Sequence, residues 1–179
     1  NKYGFTPLIM AIEIGDRDIN KYRRIIKYLL QSGASINFMA ETDNHEAIDI
    51  LIELGANINR ADENGNTLLC CAILINNENL TNHLIDHGAN VNGDISEMSP
   101  LITAIECENE NLIKYLIEHG ADVNREDKFS YTPLITAIEY GNQEIIKYLI
   151  ENGANVNKES KYRGFPLLVA LDMENDEIS

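Results

Sequence analysis

A Gly-Ala pair followed three residues later by Asn occurs five times in this chain of 179 residues. The pairs begin at Gly33, Gly55, Gly88, Gly120 and Gly153. From Gly55 onwards, successive glycines are 33, 32 and 33 residues apart. A regular period of this length indicates one supersecondary unit that is stacked on copies of itself. The chain is therefore expected to form an array, with its function on a surface that the units share.

The stretch 127–157 shows how one unit is expected to fold. Thr132 suits a helix N-cap and Pro133 suits the first helical position, so an inner helix begins there. A second helix is predicted over 143–152, where isoleucine and leucine recur at helical spacing. Gly153 follows it, because the left-handed position after a helix favours glycine. Since neither helix can bury its apolar side alone, the neighbouring units must cover it.

A motif of the form T-P-L-x-x-A, or a close variant, recurs in the chain. It occupies residues 6–11, 67–72, 99–104, 132–137 and, more weakly, 165–170. Together with Glu144–Asn157, these segments resemble the T-P-L-H-x-A and E-I-V-x-L-L-L-x-x-G-A-x-V-N signatures of ankyrin repeats. The resemblance implies an all-α repeat solenoid, in which helix-turn-helix ankyrin repeats are stacked and carry projecting β-hairpin loops. It covers essentially the whole chain as a single domain.

About six repeats follow from this resemblance. They are 1–38, 39–61, 62–93, 94–126, 127–159 and 160–179, of which the second is incomplete and the last is truncated. The histidine of the family signature is replaced by an apolar residue or cysteine in all five motifs. The replacements are Ile9, Cys70, Ile102, Ile135 and Leu168. In the family this histidine helps to hold the hairpin turns, so the rigidity of the turns is in question.

The second repeat departs from the period, because only 22 residues separate Gly33 from Gly55. Aligned back from Gly55, the deficit falls between Phe38 and Met39. It is either a true deletion or a missing segment that has been closed up in the numbering. A deletion would remove a buried leucine, and the loss of a large buried side chain lowers folding stability by about 2–5 kcal/mol. A missing segment is therefore our expectation.

The formal net charge of −15 favours some partners over others. An acidic chain repels phosphate backbones and anionic lipid, so we expect a protein partner with a basic or mixed basic and apolar surface, and neither nucleic acid nor membrane. The three cysteines, Cys70, Cys71 and Cys107, imply no disulfide framework. They favour a reducing compartment, so the cytoplasm is expected, or a host cytoplasm for a secreted effector. We expect a monomer without a cofactor.

His83 and His87 are four residues apart and could place two metal ligands on one helix face. The register of the repeats favours a structural role for both. His87 precedes the glycine that ends a helix, where an imidazolium complements the helix dipole. His83 shares its position with three tyrosines, Tyr28, Tyr115 and Tyr148. Because the sequence places no third ligand, it predicts no metal site, and it shows no catalytic motif.

Partners of ankyrin repeats usually bind the hairpin tips and the exposed side of the inner helices. Carried over by register, this implies two columns on the inner helices: an acidic one at Glu13, Glu41, Leu74, Glu106, Glu139 and Asp172, and an apolar one that includes Ile14, Ile75, Cys107 and Tyr140. The hairpin tips add Tyr3, Phe5, Met98, Phe129, Tyr131 and Tyr162. An acidic row is equally typical of a solvated face, but aromatic residues beside charge are typical of binding hot spots.

We therefore predict a non-catalytic protein–protein interaction module. It would bind a basic and apolar partner segment on an acidic concave surface with an aromatic rim. The alternative is a targeting domain of a larger multidomain enzyme, or of a secreted bacterial or viral effector, whose catalytic part lies outside this chain.

Overall fold

Pairs of short helices succeed one another along the computed structural model, which describes residues 7–15, 19–42, 44–93 and 98–176. In these residues the α-helices are α1 (Pro7–Gly15), α2 (Ile19–Gln31), α3 (His45–Glu53), α4 (Leu68–Leu74), α5 (Glu78–Asp86), α6 (Pro100–Glu106), α7 (Glu110–Glu118), α8 (Pro133–Glu139), α9 (Gln143–Glu151) and α10 (Pro166–Asp176). A 3-10 helix, Asn37–Glu41, lies between α2 and α3. The predicted all-α repeat solenoid is confirmed.

The helices form two layers. In the inner layer, the 3-10 helix packs on α4, and α4, α6, α8 and α10 pack on one another in that order. The outer helices α5, α7 and α9 each pack on the inner helix that precedes them. Leucines of both layers, such as Leu101, Leu116 and Leu134, are almost completely buried. Each buried leucine is worth about 1.5–3 kcal/mol, so stacking supplies most of the stability.

Polar side chains fix where the helices begin. The side-chain hydroxyls of Thr67, Ser99 and Thr132 accept hydrogen bonds from backbone N–H groups at the starts of α4, α6 and α8. Asparagines do the same at the starts of the outer helices, at Asn44, Asn77, Asn109 and Asn142. Each cap satisfies a backbone donor that the helix itself cannot.

The glycine that follows each outer helix is required by its backbone angle. Gly88, Gly120 and Gly153 have φ of 84°, 91° and 92°. A Cβ atom built on any of these three glycines would meet no heavy atom within 4 Å. The left-handed conformation, and not a lack of space, therefore selects glycine at these positions.

The loops that project between repeats are tight turns held by an aspartate. Asp127 Oδ1 accepts hydrogen bonds from the backbone N–H groups of Phe129 and Tyr131, at 2.8 and 2.9 Å. Asp62 makes the equivalent pair of bonds two repeats earlier. In the described part of the chain these loops contain no regular strand, because the five residues from aspartate to tyrosine leave no room for a ladder. These turns are held without the signature histidine.

The shortened second repeat has a 3-10 helix in place of an inner α-helix. Phe38 and Met39 are consecutive residues of this helix, and Met39 is buried on the core. Asn37 occupies the position of the repeating asparagine, and its side chain donates a hydrogen bond to the carbonyl of Asn66, in the third repeat. Our expectation of a missing segment between Phe38 and Met39 stays a prediction.

The periodic asparagine links each repeat to the next. Asn124 Oδ1 accepts a hydrogen bond from the backbone N–H of Asn155 at 2.7 Å, and Asn124 Nδ2 donates one to the carbonyl of Gly153 at 2.9 Å. Asn92 makes the same two bonds to Asp122 and Gly120. Because one amide side chain both accepts and donates, it holds a backbone N–H and a backbone carbonyl of the turn that follows the outer helix of the next repeat.

We predict that Asn124→Ala lowers the free energy of unfolding by about 1–2 kcal/mol, because two hydrogen bonds between repeats are lost. Urea denaturation followed by circular dichroism measures this change. Asn111→Ala, on the exposed side of α7, is the control and should change stability by less than about 0.5 kcal/mol. Equal losses in the two variants would show that the asparagine links do not stabilise the stack.

Candidate protein-binding surface

Side chains at the ends of successive inner helices form the inner row. Leu74, Glu106 and Glu139 are the last residues of α4, α6 and α8, which pack side by side. Glu41 ends the 3-10 helix, and Asp172 lies on α10. Glu139 is partly buried and the other four are exposed. The inner row thus combines acidic side chains with one exposed leucine.

Glu106 lies in an environment that disfavours its negative charge. Desolvation by the surrounding protein is the main cause that raises the pKa of the Glu106 carboxyl, and the nearby carboxylate of Asp127 raises it further. Within the described part of the chain, none of the ion pairs includes Glu106. The folded chain therefore holds Glu106 without a compensating cation from its described residues.

Glu139 differs from Glu106 because it has a cationic partner. Arg163 Nε lies 2.7 Å from Glu139 Oε1, and the Glu139 side chain is only 18% exposed. Burial raises the pKa of the Glu139 carboxyl, and the charge of Arg163 opposes that rise. The acidic column predicted from the sequence contains Glu139 but not its partner Arg163, which comes from the loop of the following repeat.

A second row, the apolar row, follows the inner row by one residue. Ile75 is 50% exposed, Tyr140 is 46% exposed, and Cys107 is partly buried. Burial raises the pKa of the Tyr140 hydroxyl, with further contributions from Glu106 and Cys107. Glu106 and Cys107 act on Tyr140 because α6 and α8, at whose ends these residues lie, pack side by side. The predicted apolar column and acidic column are thus neighbours at α6 and α8.

Two open depressions border these rows. One has a volume of about 570 Å³ and is lined by Glu41, Thr42, Ile75 and residues 76–79. The other has a volume of about 470 Å³ and is lined by Asn76 and residues 107–111. Both lie where an inner helix turns into its outer helix. They are shallow and largely polar, which suits a partner side chain better than an enclosed small molecule.

The predicted aromatic rim carries its own positive charges. Phe129 and Tyr162 are exposed, and each has a lysine ammonium, Lys128 or Lys161, 5.2 Å from its ring centroid. Arg163 lies over the partly buried ring of Tyr131 at 5.8 Å. Its Nε also donates a hydrogen bond to the Tyr131 hydroxyl at 2.9 Å. The rim therefore combines aromatic groups with basic groups that lie against their rings.

Met98 is partly buried where two loops meet. Its backbone N–H donates to the carbonyl of Gly65, and its carbonyl accepts a hydrogen bond from the thiol of Cys70. Four other predicted residues remain to be placed. Tyr3 and Phe5 lie outside the described residues, and Glu13 and Ile14 lie on α1 but their side chains are not described.

The thiols lack the environment of a catalytic nucleophile. Burial is the main cause that raises the pKa of the Cys71 thiol to about 11, and it also raises the pKa of Cys107. Both shifts reduce the thiolate fraction at neutral pH, whereas reactive cysteines need that fraction increased. Cys70 is fully buried. These three residues therefore behave as small packing side chains.

The stacked helix pairs and the asparagine links define a helical repeat protein. Models of ankyrin repeats match the chain three times: one of three copies over 36–127, one of many copies over 116–163, and one of a single repeat over 3–41. The first match alone spans more than half of the chain, which therefore belongs to the ankyrin repeat family. Ankyrin repeats are generally protein–protein interaction modules and are typically non-catalytic.

A search of curated protein sequences gives no significant match. Among the residues that the structure describes, no helix has the length and apolar character needed to cross a membrane.

We predict that Glu106→Gln stabilises the fold at neutral pH. Because the pKa of this carboxyl is higher in the folded chain, ionising it opposes folding, and the penalty develops as the pH rises through the folded pKa. Removing the charge should raise the free energy of unfolding at pH 7 by less than about 1 kcal/mol, since the site is partly solvated. Urea denaturation at pH 7 and at pH 4 measures the difference, which should shrink at the lower pH.

Glu139→Gln provides the comparison, because it also removes a carboxylate whose pKa is raised but leaves Arg163 without its partner. It should stabilise the fold less than Glu106→Gln or destabilise it. A loss of stability in Glu106→Gln at pH 7 would contradict the electrostatic assignment.

Proposed function

We propose that this chain binds a partner protein without catalysis, and that the inner row and the apolar row contact a partner segment with basic and apolar side chains. The observation that carries this proposal is the exposed Ile75 and Tyr140 beside the uncompensated carboxylate of Glu106. Exposed apolar and aromatic groups next to charge are the usual composition of energetic hot spots at interfaces.

The state of Glu106 supports a cationic partner group. Its raised pKa indicates that the folded chain disfavours the ionised carboxylate. A lysine or arginine of the partner would supply the missing countercharge, and its own charge would be partly desolvated in the same contact. Charge-assisted hydrogen bonds of this kind are stronger than neutral ones. Glu106 is therefore the preferred position for a basic partner side chain.

The basic groups of the rim add a second requirement. Lys161 lies beside the exposed ring of Tyr162 at the loop tip, and no acid of the inner row neutralises it in the described ion pairs. A partner that meets both surfaces should place a basic side chain on the inner row and an acceptor group, such as a carboxylate or backbone carbonyl, at the rim. Complementary charges of both signs would fix the direction in which the segment binds.

We predict that peptides selected on this chain from a random display library carry lysine or arginine beside apolar residues. Glu106→Lys, which leaves the Glu139–Arg163 pair intact, should weaken the best peptides at least tenfold, which is about 1.4 kcal/mol. The double variant Glu106→Lys/Glu139→Lys should weaken them further. Fluorescence polarisation with labelled peptides measures the dissociation constants.

The matched control is Glu118→Lys/Glu151→Lys. These residues are the last of the outer helices α7 and α9, in the same two repeats, so the control makes the same change in net charge on the opposite layer. It should leave peptide affinity nearly unchanged. Equal weakening by the two double variants would show that only net charge matters, and unchanged binding by Glu106→Lys would contradict the proposed surface.

The alternative, a targeting domain of a larger enzyme or effector, uses the same surface. A full reading frame that encodes a catalytic domain beside these repeats would support it. The proposed location is the cytoplasm, and the proposed state is a monomer, which light scattering tests directly.

A further inference from the structure

Three potential ligands converge between the second and third repeats. His83 Nε2 lies 2.8 Å from Asp49 Oδ1, and His87 Nε2 lies 3.4 Å from the same oxygen. One ligand atom of each residue lies within 4.8 Å of the other two. With bonds of about 2.0–2.1 Å, a tetrahedral zinc ion spaces its ligand atoms roughly 3.3 Å apart. The two distances to Asp49 lie within about half an ångström of this spacing, and the ligand atoms of the two histidines are at most 4.8 Å apart.

The orientation of His87 suits a metal ligand. Its Nδ1 lies 2.8 Å from the backbone carbonyl of His83, so Nδ1 is assigned the proton and Nε2, which lies 3.4 Å from Asp49 Oδ1, carries the lone pair. Histidines that bind metals usually donate their second ring N–H to a carbonyl or carboxylate in this way. His119 makes the same bond to Tyr115. This bond alone is therefore a common way to satisfy a carbonyl at the end of an outer helix. What distinguishes His87 is the nearby Asp49 carboxylate and the nearby His83 imidazole.

A comparison between repeats shows that the ligand set is not needed for stacking. Lys114, in the fourth repeat, occupies the position that Asp49 has in the second. Tyr148, in the fifth repeat, occupies the position that His83 has in the third. The Lys114 ammonium lies 6.0 Å from the centroid of the Tyr148 ring. At Asp49 and His83 both partners of this contact are changed. The sixth residue before the glycine is otherwise lysine or asparagine, at Lys27, Asn82, Lys114 and Lys147. Asp49 is the one acid in this column.

The environment leaves the three groups partly covered but reachable. The side chain of His83 is 19% exposed, and those of His87 and Asp49 are 39% and 45% exposed. The ring of His45 stacks on His83 with centroids 4.7 Å apart, which holds the His83 ring in place. The net charge of −15 raises the local concentration of cations.

We propose that Asp49, His83 and His87 bind one divalent transition-metal ion of the zinc class, linking α3 of the shortened repeat to α5 of the next. Two imidazole nitrogens and one carboxylate oxygen suit zinc, and hard cations such as Mg²⁺ or Ca²⁺ prefer oxygen ligands alone. Three protein ligands leave a fourth position for water. The ion joins elements of two repeats, so binding it stabilises the stack.

Equilibrium dialysis of the metal-free, tag-free chain against Zn²⁺ tests the proposal, with bound metal measured by atomic emission. A Cys71→Ala/Cys107→Ala background removes the two partly exposed thiols as competing ligands. We expect one Zn²⁺ per chain at micromolar free metal, and a higher melting temperature with Zn²⁺ than with Mg²⁺. Co²⁺ should bind at the same stoichiometry and give the visible spectrum of a nitrogen and oxygen site.

The ligand variants use residues that other repeats already carry. His87→Asn copies Asn152, whose side chain makes the same bond to the carbonyl of Tyr148, and His83→Tyr copies Tyr115. Asp49→Asn keeps an oxygen that can accept from His83. Each should reduce Zn²⁺ affinity at least tenfold and abolish the Zn²⁺-dependent rise in melting temperature. His119→Asn, the matched control, should change neither.

Retention of the helical circular dichroism spectrum shows that each variant is folded. A wild-type chain that binds no Zn²⁺ at about 0.1 mM free metal overturns the proposal, because this concentration is far above the micromolar range expected for a specific site. Unchanged affinity in the folded ligand variants does so too, and would leave Asp49 and His83 as a hydrogen-bonded contact between repeats.

Discussion

The structure depends on one constraint: no helix pair in this chain can bury its apolar surface without the pair beside it. Leu101 and Leu134 are buried only because α6 and α8 pack on each other and on their neighbours. The asparagine links act on the same interface, because Asn92 and Asn124 bind the backbone of the next repeat. Burial supplies the energy of stacking, and these directional bonds set the register between repeats.

This constraint also separates the residues that pack between repeats from those that packing leaves exposed. Residues that face a neighbouring repeat are committed to packing, whereas the ends of the inner helices and the loop tips are not. Ile75, Tyr140 and Phe129 are exposed although they are large and apolar. The packing between repeats does not require them at these positions, and this is the basis for proposing them as contacts with a partner.

Repetition makes departures informative. The outer helices α3, α5, α7 and α9 each have nine residues and begin after a capping asparagine, so a side chain that differs from its column at one repeat marks a local change. Arg163 pairs with Glu139 and covers Tyr131, which makes the last interface more polar than the one at Glu106. Asp49 and His83 replace the lysine–tyrosine contact seen at Lys114 and Tyr148. Both departures bring ionisable groups from adjacent repeats together.

The sequence by itself determined the period, the helix pair of the regular repeats, the threonine cap of the inner helix and the glycine turns, because these depend on residues close together in the chain. It also placed Glu106 and Tyr140 on exposed helix ends. Only the tertiary structure decided contacts between repeats, because a period gives the order of the units but not which side chains meet. In the tertiary structure, Glu139 forms an ion pair with Arg163. Asp49 lies beside His83 and His87, although more than thirty residues of chain separate Asp49 from these histidines.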